Sequence, residues 1–533
     1  MTKIGILLLV AFAFLCSASS ADDIAGALTG TLPLSGSPYL VTDDIYVLSE
    51  STLTIEPGVV LFFSGYTKFT VTNGATLLAI GTESDSIYFT GDSLYEWFGL
   101  KLDTSETVSI LRYCVIEYSS DTGIICRRSS PEISHCMIRY CDDQSGPSQN
   151  FGYGITCGWQ SNAIIRDNTI MSNWGLDGPI ATSESDPIIE NNLIVSNNSI
   201  SGALGILVGF GSSPLIIGNT ITQNRGTWSD VITAFGEDGL IVAGNTITGN
   251  HSRGSRSSAI NCGQLDNAVI INNYIAFDTT EIARHVGLIH FFNSNNCLVQ
   301  GNVIVNNHCE DSPIFGNEES IKNVIANNTI YGNTCVAITD TLPEGMFLGF
   351  NNIFWNNFPN RLGPNAYFTF SNFMGGFPGT GNTELDPLFR DADNGDFHLM
   401  SIACGDALNS PCIDSGSPDF SEDSLECSGG LGTIAADMGA YGGQIQLPCT
   451  YVIGDVNHNG SAAGTDVVYF VNYLKGGYPP AYFCDCSDIH AFFLEADLNA
   501  SCDVNGLDVT YFVNYLKGIG PFMLHCPACP PPG

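Results

Sequence analysis

A short phrase, an asparagine or cysteine followed two residues later by an isoleucine or phenylalanine, returns ten times between residues 110 and 357. The copies are Cys114-Val-Ile116, Cys136-Met-Ile138, Asn168-Thr-Ile170, Asn192-Leu-Ile194, Asn219-Thr-Ile221, Asn245-Thr-Ile247, Asn273-Tyr-Ile275, Asn302-Val-Ile304, Asn328-Thr-Ile330 and Asn352-Ile-Phe354. Successive spacings are 22, 32, 24, 27, 26, 28, 29, 26 and 24 residues. A period of that size belongs to a solenoid, in which each repeat buries its apolar side only against its neighbours. A second apolar run often precedes the phrase, as in Pro187-Ile-Ile189, Pro214-Leu-Ile-Ile217, Leu240-Ile-Val242 and Ala268-Val-Ile-Ile271. Runs so short, β-branched and broken by Asn and Gly cannot be helices, so they are read as the strands of a coil.

This pattern resembles the right-handed parallel β-helix, the fold of pectate lyases, polygalacturonases and many bacterial surface proteins. The resemblance implies a mainly β chain whose Ile and Val side chains stack inward, with each Asn in a bend, bonded to the turning backbone and to the Asn of the next coil. Cys114 and Cys136 take the same place in the phrase and are expected as buried thiols rather than a bridge. Leu53-Thr-Ile55, Phe69-Thr-Val71 and Ile87-Tyr-Phe89 read as opening coils, with Asp22 to Glu50 laid over them as a cover. The β-helix with its N-terminal cap is placed at 22–385. Asp386-Pro-Leu-Phe389, Gly395-Asp-Phe-His-Leu399, Ser410-Pro-Cys-Ile-Asp414 and Asp437-Met-Gly-Ala-Tyr-Gly442 resemble the closing segment of such proteins, placed at 386–447.

Residues 448–533 carry a different signal. Asp466-Val-Val-Tyr-Phe-Val-Asn-Tyr-Leu-Lys-Gly476 recurs as Asp508-Val-Thr-Tyr-Phe-Val-Asn-Tyr-Leu-Lys-Gly518, and each copy ends a twelve-residue stretch shaped like a calcium loop. In the first loop oxygen donors stand at Asp455, Asn457, Asn459, Ser461 and Asp466, with Gly460 at the sharp turn and Ala463 at the ninth place. The second offers Asp497, Asn499, Ser501, Asp503, Asn505 and Asp508 but puts Cys502 where glycine is expected. The pair resembles the dockerin module, a duplicated calcium loop and helix; the resemblance implies bound Ca2+ and a cohesin-like receptor as partner. Val467, Phe470, Val471 and Leu474, and Val509, Phe512, Val513 and Leu516, form the expected buried stripes. Tyr469, Tyr473, Tyr511 and Tyr515 lie on the opposite face, as a binding surface or as a cover for the module's own loops.

The chain opens like an exported protein, with Lys3, an apolar run from Ile4 to Leu15 and small residues up to Ala21, so 1–21 is read as a signal peptide. No later stretch is apolar and long enough to span a bilayer, which implies a secreted or surface protein without a transmembrane anchor. With 54 acidic against 17 basic residues the formal charge is −37, which argues against nucleic acid or anionic lipid as partner. Cys404, Cys412, Cys427 and Cys449 crowd the C-terminal third with Cys484, Cys486, Cys502, Cys526 and Cys529, where disulfides would staple loop-rich segments. A zinc site from Cys484, Cys486, Cys526 and Cys529 is the alternative.

Signs of catalysis are sparse. The Gly-His-Gly and Arg-Ile-Lys phrases of polygalacturonase-like enzymes are missing. Arg127-Arg128 reads as a bend, like Asp142-Asp143 a candidate outweighed by a solvated loop, and Gly236-Glu-Asp-Gly239 reads as a turn. Glu281, Arg284 and His285, with His290, give the densest titratable group and are the catalytic candidates, on a coil long enough to project a loop over a cleft. His251-Ser-Arg253-Gly-Ser-Arg256 reads as a loop one coil earlier, so that a small basic patch could hold an acidic sugar. The functions left open are an exported protein that binds or processes polysaccharide, as a lyase or O-glycosyl hydrolase if enzymatic, and a noncatalytic rod that the terminal module stabilises or anchors.

Overall fold

The computed structural model describes residues 22–91, 97–105, 108–142, 153–236, 239–253, 257–281, 287–340, 346–418, 427, 431–442, 453–456, 462–475, 483–486, 489–501, 504–518, 520 and 523–524. Residues 1–21, and with them the expected signal peptide, lie outside that set.

The chain winds into a parallel β-solenoid. A typical central coil contributes four strands, Ile188–Glu190, Leu193–Val195, Asn198–Ser199 and Gly202–Val208, one to each of four sides. The first side is a 14-stranded sheet, and the third a six-stranded sheet of two- and three-residue strands from Trp174–Gly175 to His308–Cys309. The second and fourth sides join into one 26-stranded sheet through Tyr39–Val47, which pairs with strands of both.

The repeated phrase forms the second side. Ile116, Ile138, Ile170, Ile194, Ile221, Ile247, Ile275, Ile304, Ile330 and Phe354 follow one another in register, each the Cα partner of the next. All ten are fully buried. Removing each such side chain from water contributes roughly 1.5–3 kcal/mol, one part of what offsets the entropy of ordering the coil that carries it. Ile133, Ile165, Ile189, Ile216, Val242 and Ile270 form the matching column of the first side.

Asparagines close the bends between sides. The backbone N–H and side-chain amide of Asn168 both donate to Asn192 Oδ1, at 3.0 and 2.9 Å, and the amide also reaches the Ile133 carbonyl. The same three bonds recur along Asn192, Asn219, Asn245, Asn273, Asn302 and Asn328, so each buried amide is paired rather than stranded. A second ladder, which the phrase does not announce, stands five residues further on: Asn173, Asn197, Asn224, Asn250, Asp278, Asn307, Asn333 and Asn357. Cys114 and Cys136 do hold the first ladder's place as buried free thiols. Their sulfurs donate to the carbonyls of Ala79 and Leu111, as the asparagine amides do in later coils.

Several expectations change at the ends. Asp22–Leu28 pairs in parallel with Tyr39–Val47, so the first described residues form the opening coil itself rather than a lid. At the far end the core is plugged by aromatics: Phe354 stacks on Phe373 at 4.6 Å and meets Phe368 edge-on at 5.2 Å. The segment after it runs back along the flank. Phe389, Phe397, Leu399 and Met438 bury Ala276, Val303, Val305 and Ile353, which point outward from the second side. Bonds from Asn327 to the Asp437 carbonyl, from Ala440 to Thr329 and from Ser417 to Asn351 fix it there. Cys404 and Cys427 form a disulfide, as expected of this region, while Cys412 remains a buried thiol that burial pushes up to about 12. Cys309 and Cys335, one coil apart in the solenoid, are also bonded.

The duplicated segment gives two eleven-residue helices, α1 (Gly464–Leu474) and α2 (Gly506–Leu516). Phe470 and Phe512 are buried with Val456, Ala496 and Leu498, and this small core continues onto Leu215, Ile188, Ile217 and Ile241 of the solenoid's first side. Leu474 and Leu516 are exposed, against expectation, whereas Tyr469, Tyr473, Tyr511 and Tyr515 join the apolar cluster. A helix packed against its twin and against a solenoid face buries a wider arc than one stripe, and its last turn overhangs.

Candidate functional site

The outward positions of the six-stranded third side form two columns. Asn198, Arg225, His251, Thr279 and His308 are successive Cα partners in one, and Thr227 and Arg253 in the other, with the backbone of Glu281 next in register. Neighbouring coils lie about 4.8 Å apart, so Arg225 and Arg253 stand within reach of one extended ligand. The residues between them, Ser199, Gly226 and Ser252, point toward the core, and a Cβ on Gly226 would stand 2.5 Å from the Ser199 carbonyl oxygen, so the coil closes there only around glycine. Two open grooves follow the columns. One of about 450 Å³ is lined by Ser196, Gln223 and Gly249 with Asn198 and Arg225, and one of about 390 Å³ by Thr227, His251 and Arg253 with the same pair.

Arg253 Nε donates to His251 Nε2 at 3.3 Å, which fixes the imidazole proton on Nδ1. Arg225 and Arg253 are exposed and permanently charged, on a chain whose formal charge is −37. Their planar forks suit carboxylate or sulfate oxygens, and neither can serve as a proton acceptor. As built, this side can bind an anion along its length.

Around the next corner, on the fourth side, lies a buried polar chain. Asn261 donates to Asp230 Oδ2 at 2.8 Å, His290 Nδ1 lies 3.1 Å from Asn261 Oδ1, and His290 Nε2 lies 4.0 Å from Glu318. Because the Asn261 amide faces Asp230, its carbonyl oxygen must accept from His290 Nδ1–H. Burial pushes the Asp230 carboxyl up to about 6, moderated by bonds from Asn261, Ser258 and Thr233. Asp230, Asn261 and His290 are all buried, so this chain pins strands of adjacent coils and does not face a groove.

Of the predicted catalytic group and its neighbour His290, only Glu281 and His290 fall among the described residues, and they stand on different sides of the coil. Glu281 ends the third-side strand Thr279–Glu281, in register with Arg253, and His290 sits in the buried chain. Arg284, His285 and Arg256 lie outside the described residues, as do Asp143, Glu237 and Asp238. His251–Arg253 is a strand, not a loop, because its inward Ser252 bonds the Ser229 carbonyl and joins the sheet. Arg127 likewise belongs to strand Ile124–Ser129, its guanidinium 4.6 Å over the Trp159 ring. Sequence reading missed Arg225 and Asn198, although each directly follows an asparagine of the second ladder, as His251 and His308 do.

Of the expected calcium ligands, Asn457, Asn459, Ser461 and Asp503 lie outside the described residues, and so do Cys502, Cys526 and Cys529. Asp455, Asp466, Asp497 and Asp508 are buried. The amides of Leu498 and Asn499 bond Asp508 Oδ1 at 3.0 and 3.2 Å, which closes the second loop by tying its second and third residues to its twelfth. Asn505 accepts from Leu507 N–H and its own N–H donates to Asp508, so both residues also cap α2. Asp466 takes the same position in the first turn of α1, accepting from Ala463 N–H at 2.9 Å. Buried carboxylates beside amide and hydroxyl oxygens fit a hard cation such as Ca2+. No three His, Cys, Asp or Glu side chains converge among the described residues.

Among the described residues no helix is long and apolar enough to cross a membrane. Among curated proteins none matches this chain. Solved structures similar to it include the A-module of the Azotobacter vinelandii mannuronan C-5 epimerase AlgE6, at 12% identity over 66% of this chain and 88% of that one with a TM-score of 0.32. Pectate lyase Pel9A is similar at 11% identity over 74% of this chain and 88% of that one, with a TM-score of 0.34. The family described as right handed beta helix region matches residues 42–192 and 80–247, and the chain is accordingly a right-handed β-helix solenoid, mainly β.

Proposed function

We propose that this chain is an exported β-helix protein that binds an acidic polysaccharide along its third side, with a terminal dockerin-like module that holds Ca2+ and docks to a cohesin-like receptor. The observation that carries the glycan reading is the pairing of Arg225 and Arg253 with His251 and Asn198 along two open grooves, on a protein of formal charge −37. Cations held on a rigid strand ladder at coil spacing suit a regular polyanion such as a uronate chain. When bound, Ca2+ would supply charge neutralisation for the aspartates that the two loops bury.

The described side chains of the third side offer binding groups, and the reading rests on them rather than on an acid and base, so processing of the glycan is the weaker half of this reading. The second reading, a rod that its module only stabilises, draws support from the continuous apolar contact between Phe470, Phe512 and the rod's Leu215, Ile217 and Ile241.

The test is retention of the purified chain on alginate, polygalacturonate and a neutral glucan, with reducing ends and unsaturated uronate absorbance read in the same samples. Salt-sensitive retention on an acidic polymer, lost in the Arg225→Ala, Arg253→Ala double variant, is the expected result. Equal behaviour on the neutral polymer, or none on any, overturns the glycan reading.

A further inference from the structure

We infer that Trp228 is a stacking platform for a sugar ring at the rim of the third side, which makes the ligand a pyranose polyanion rather than any chain of negative charges. The inference rests on the acidic-glycan reading and adds to it the group that recognises the ring.

Trp228 directly follows Arg225–Thr227, the strand that lines both grooves. Its backbone N–H donates to the Arg253 carbonyl at 2.8 Å, which ties the residue to the next strand of the same side. The residue is nevertheless 61% exposed. Gly202 pairs with Ser229, so the place of Trp228 one coil earlier belongs to Ser201, too small to cover an indole face.

Trp228 has φ +63°, the left-handed bend that Trp159 and Phe277 also take in this solenoid. Holding it there costs on the order of 1 kcal/mol, and glycine would remove the strain. An indole this exposed adds little to the core. Trp159 shows the contrast, since the Arg127 guanidinium covers its ring at 4.6 Å.

The chemistry follows from the ring. An indole face carries partial negative charge and attracts the positively polarised C–H face of a pyranose, over a large area and with few torsions to freeze. Arg225 and Arg253 supply the charge that a carboxylated or sulfated sugar requires. Phosphate chains would engage the arginines and leave Trp228 unused.

The experiment is a titration of the full chain with trigalacturonate, trimannuronate and inorganic tripolyphosphate, followed by intrinsic fluorescence and calorimetry. Trp228→Ala is expected to weaken binding of at least one trisaccharide roughly tenfold, with Trp228→Phe close to wild type and tripolyphosphate unaffected by either change. The wild type's ligand-induced change in emission should vanish in Trp228→Phe, which keeps the platform but removes the indole. Unfolding temperatures that match the wild type exclude a folding defect. If Trp228→Ala binds both trisaccharides as the wild type does while Arg225→Ala loses them, the platform is refuted and the glycan site stands. If neither trisaccharide binds the wild type, both fall.

Discussion

The backbone N–H and side-chain amide of Asn250 both donate to Asp278 Oδ1, at 2.6 and 3.1 Å, which inserts a carboxyl group into a ladder of asparagines. In its neighbours the second atom is an amide nitrogen that reaches back to a carbonyl, as Asn250 does to Ile221 and Asn307 to Ile275. Asp278 presents Oδ2 in that place, fully buried and without a hydrogen bond. An acceptor there is tolerable only when it carries a proton, and burial pushes this carboxyl up to about 7.

Asp278 therefore makes the solenoid's stability depend on pH. Its folded value lies above the ordinary 3.8, so its contribution is fully present below pH 3.8 and is lost as the pH rises to about 7. Asp278→Asn restores the amide. It should unfold like the wild type at pH 4 and be more stable at pH 8, by on the order of 3 kcal/mol. Thermal denaturation of both proteins across that range measures the difference, and parallel curves would show that Asp278 is ionised without cost.

Ile221 and Ile247 are Cα partners at the centre of the second side. Replacing either by Asp buries a charge with nothing to pair it and should abolish cooperative unfolding, whereas Ile221→Val should cost about 1 kcal/mol. Circular dichroism melts distinguish these outcomes. An Asp variant that melts like the wild type would contradict the inward assignment.

Asn224 bonds Asn250 Oδ1 through its N–H and amide and reaches the Ile194 carbonyl. Asn224→Ala leaves that buried carbonyl and the neighbouring amides unmatched, at a cost of about 2–3 kcal/mol. Chemical denaturation reads this directly. A serine at the same place should recover less than half, since its hydroxyl cannot span both bonds.

If the C-terminal loops hold calcium, the full chain should bind two ions with dissociation constants of about 10⁻⁵ to 10⁻³ M. Asp466→Ala and Asp508→Ala should each remove one ion and leave the β-helix melting transition in place. Calorimetric titration after chelation counts them. Zero ions in the wild type would reduce the aspartates to helix caps, a role Asp508 already fills with Asn505.

The sequence makes the second side legible because a solenoid returns each position to the same point of every coil, so Ile221 and Asn219 announce themselves by recurrence. The second ladder was equally present in Asn173, Asn197, Asn224 and Asn250, but it carries no isoleucine two residues on and escapes a search for the phrase. Strands as short and polar as His251–Arg253 look like loops until the ladder sets their register. Aligning coils on the second asparagine would have brought Asn198, Arg225, His251 and His308 into one column. Contacts such as Ala440 with Thr329 join residues far apart in the chain, and no periodicity predicts them. Trp228 and the buried chain from Asp230 to His290 depend on which neighbour stands one coil away, information that local propensity does not hold.

Hydrogen exchange of the full chain with and without a bound acidic oligosaccharide, such as trigalacturonate or trimannuronate, tests the glycan site most directly. The account predicts added protection in peptides covering 196–198, 223–228 and 249–253, and none in those covering the first side. Protection confined to other coils, or an exchange map that the oligosaccharides leave unchanged, would contradict it.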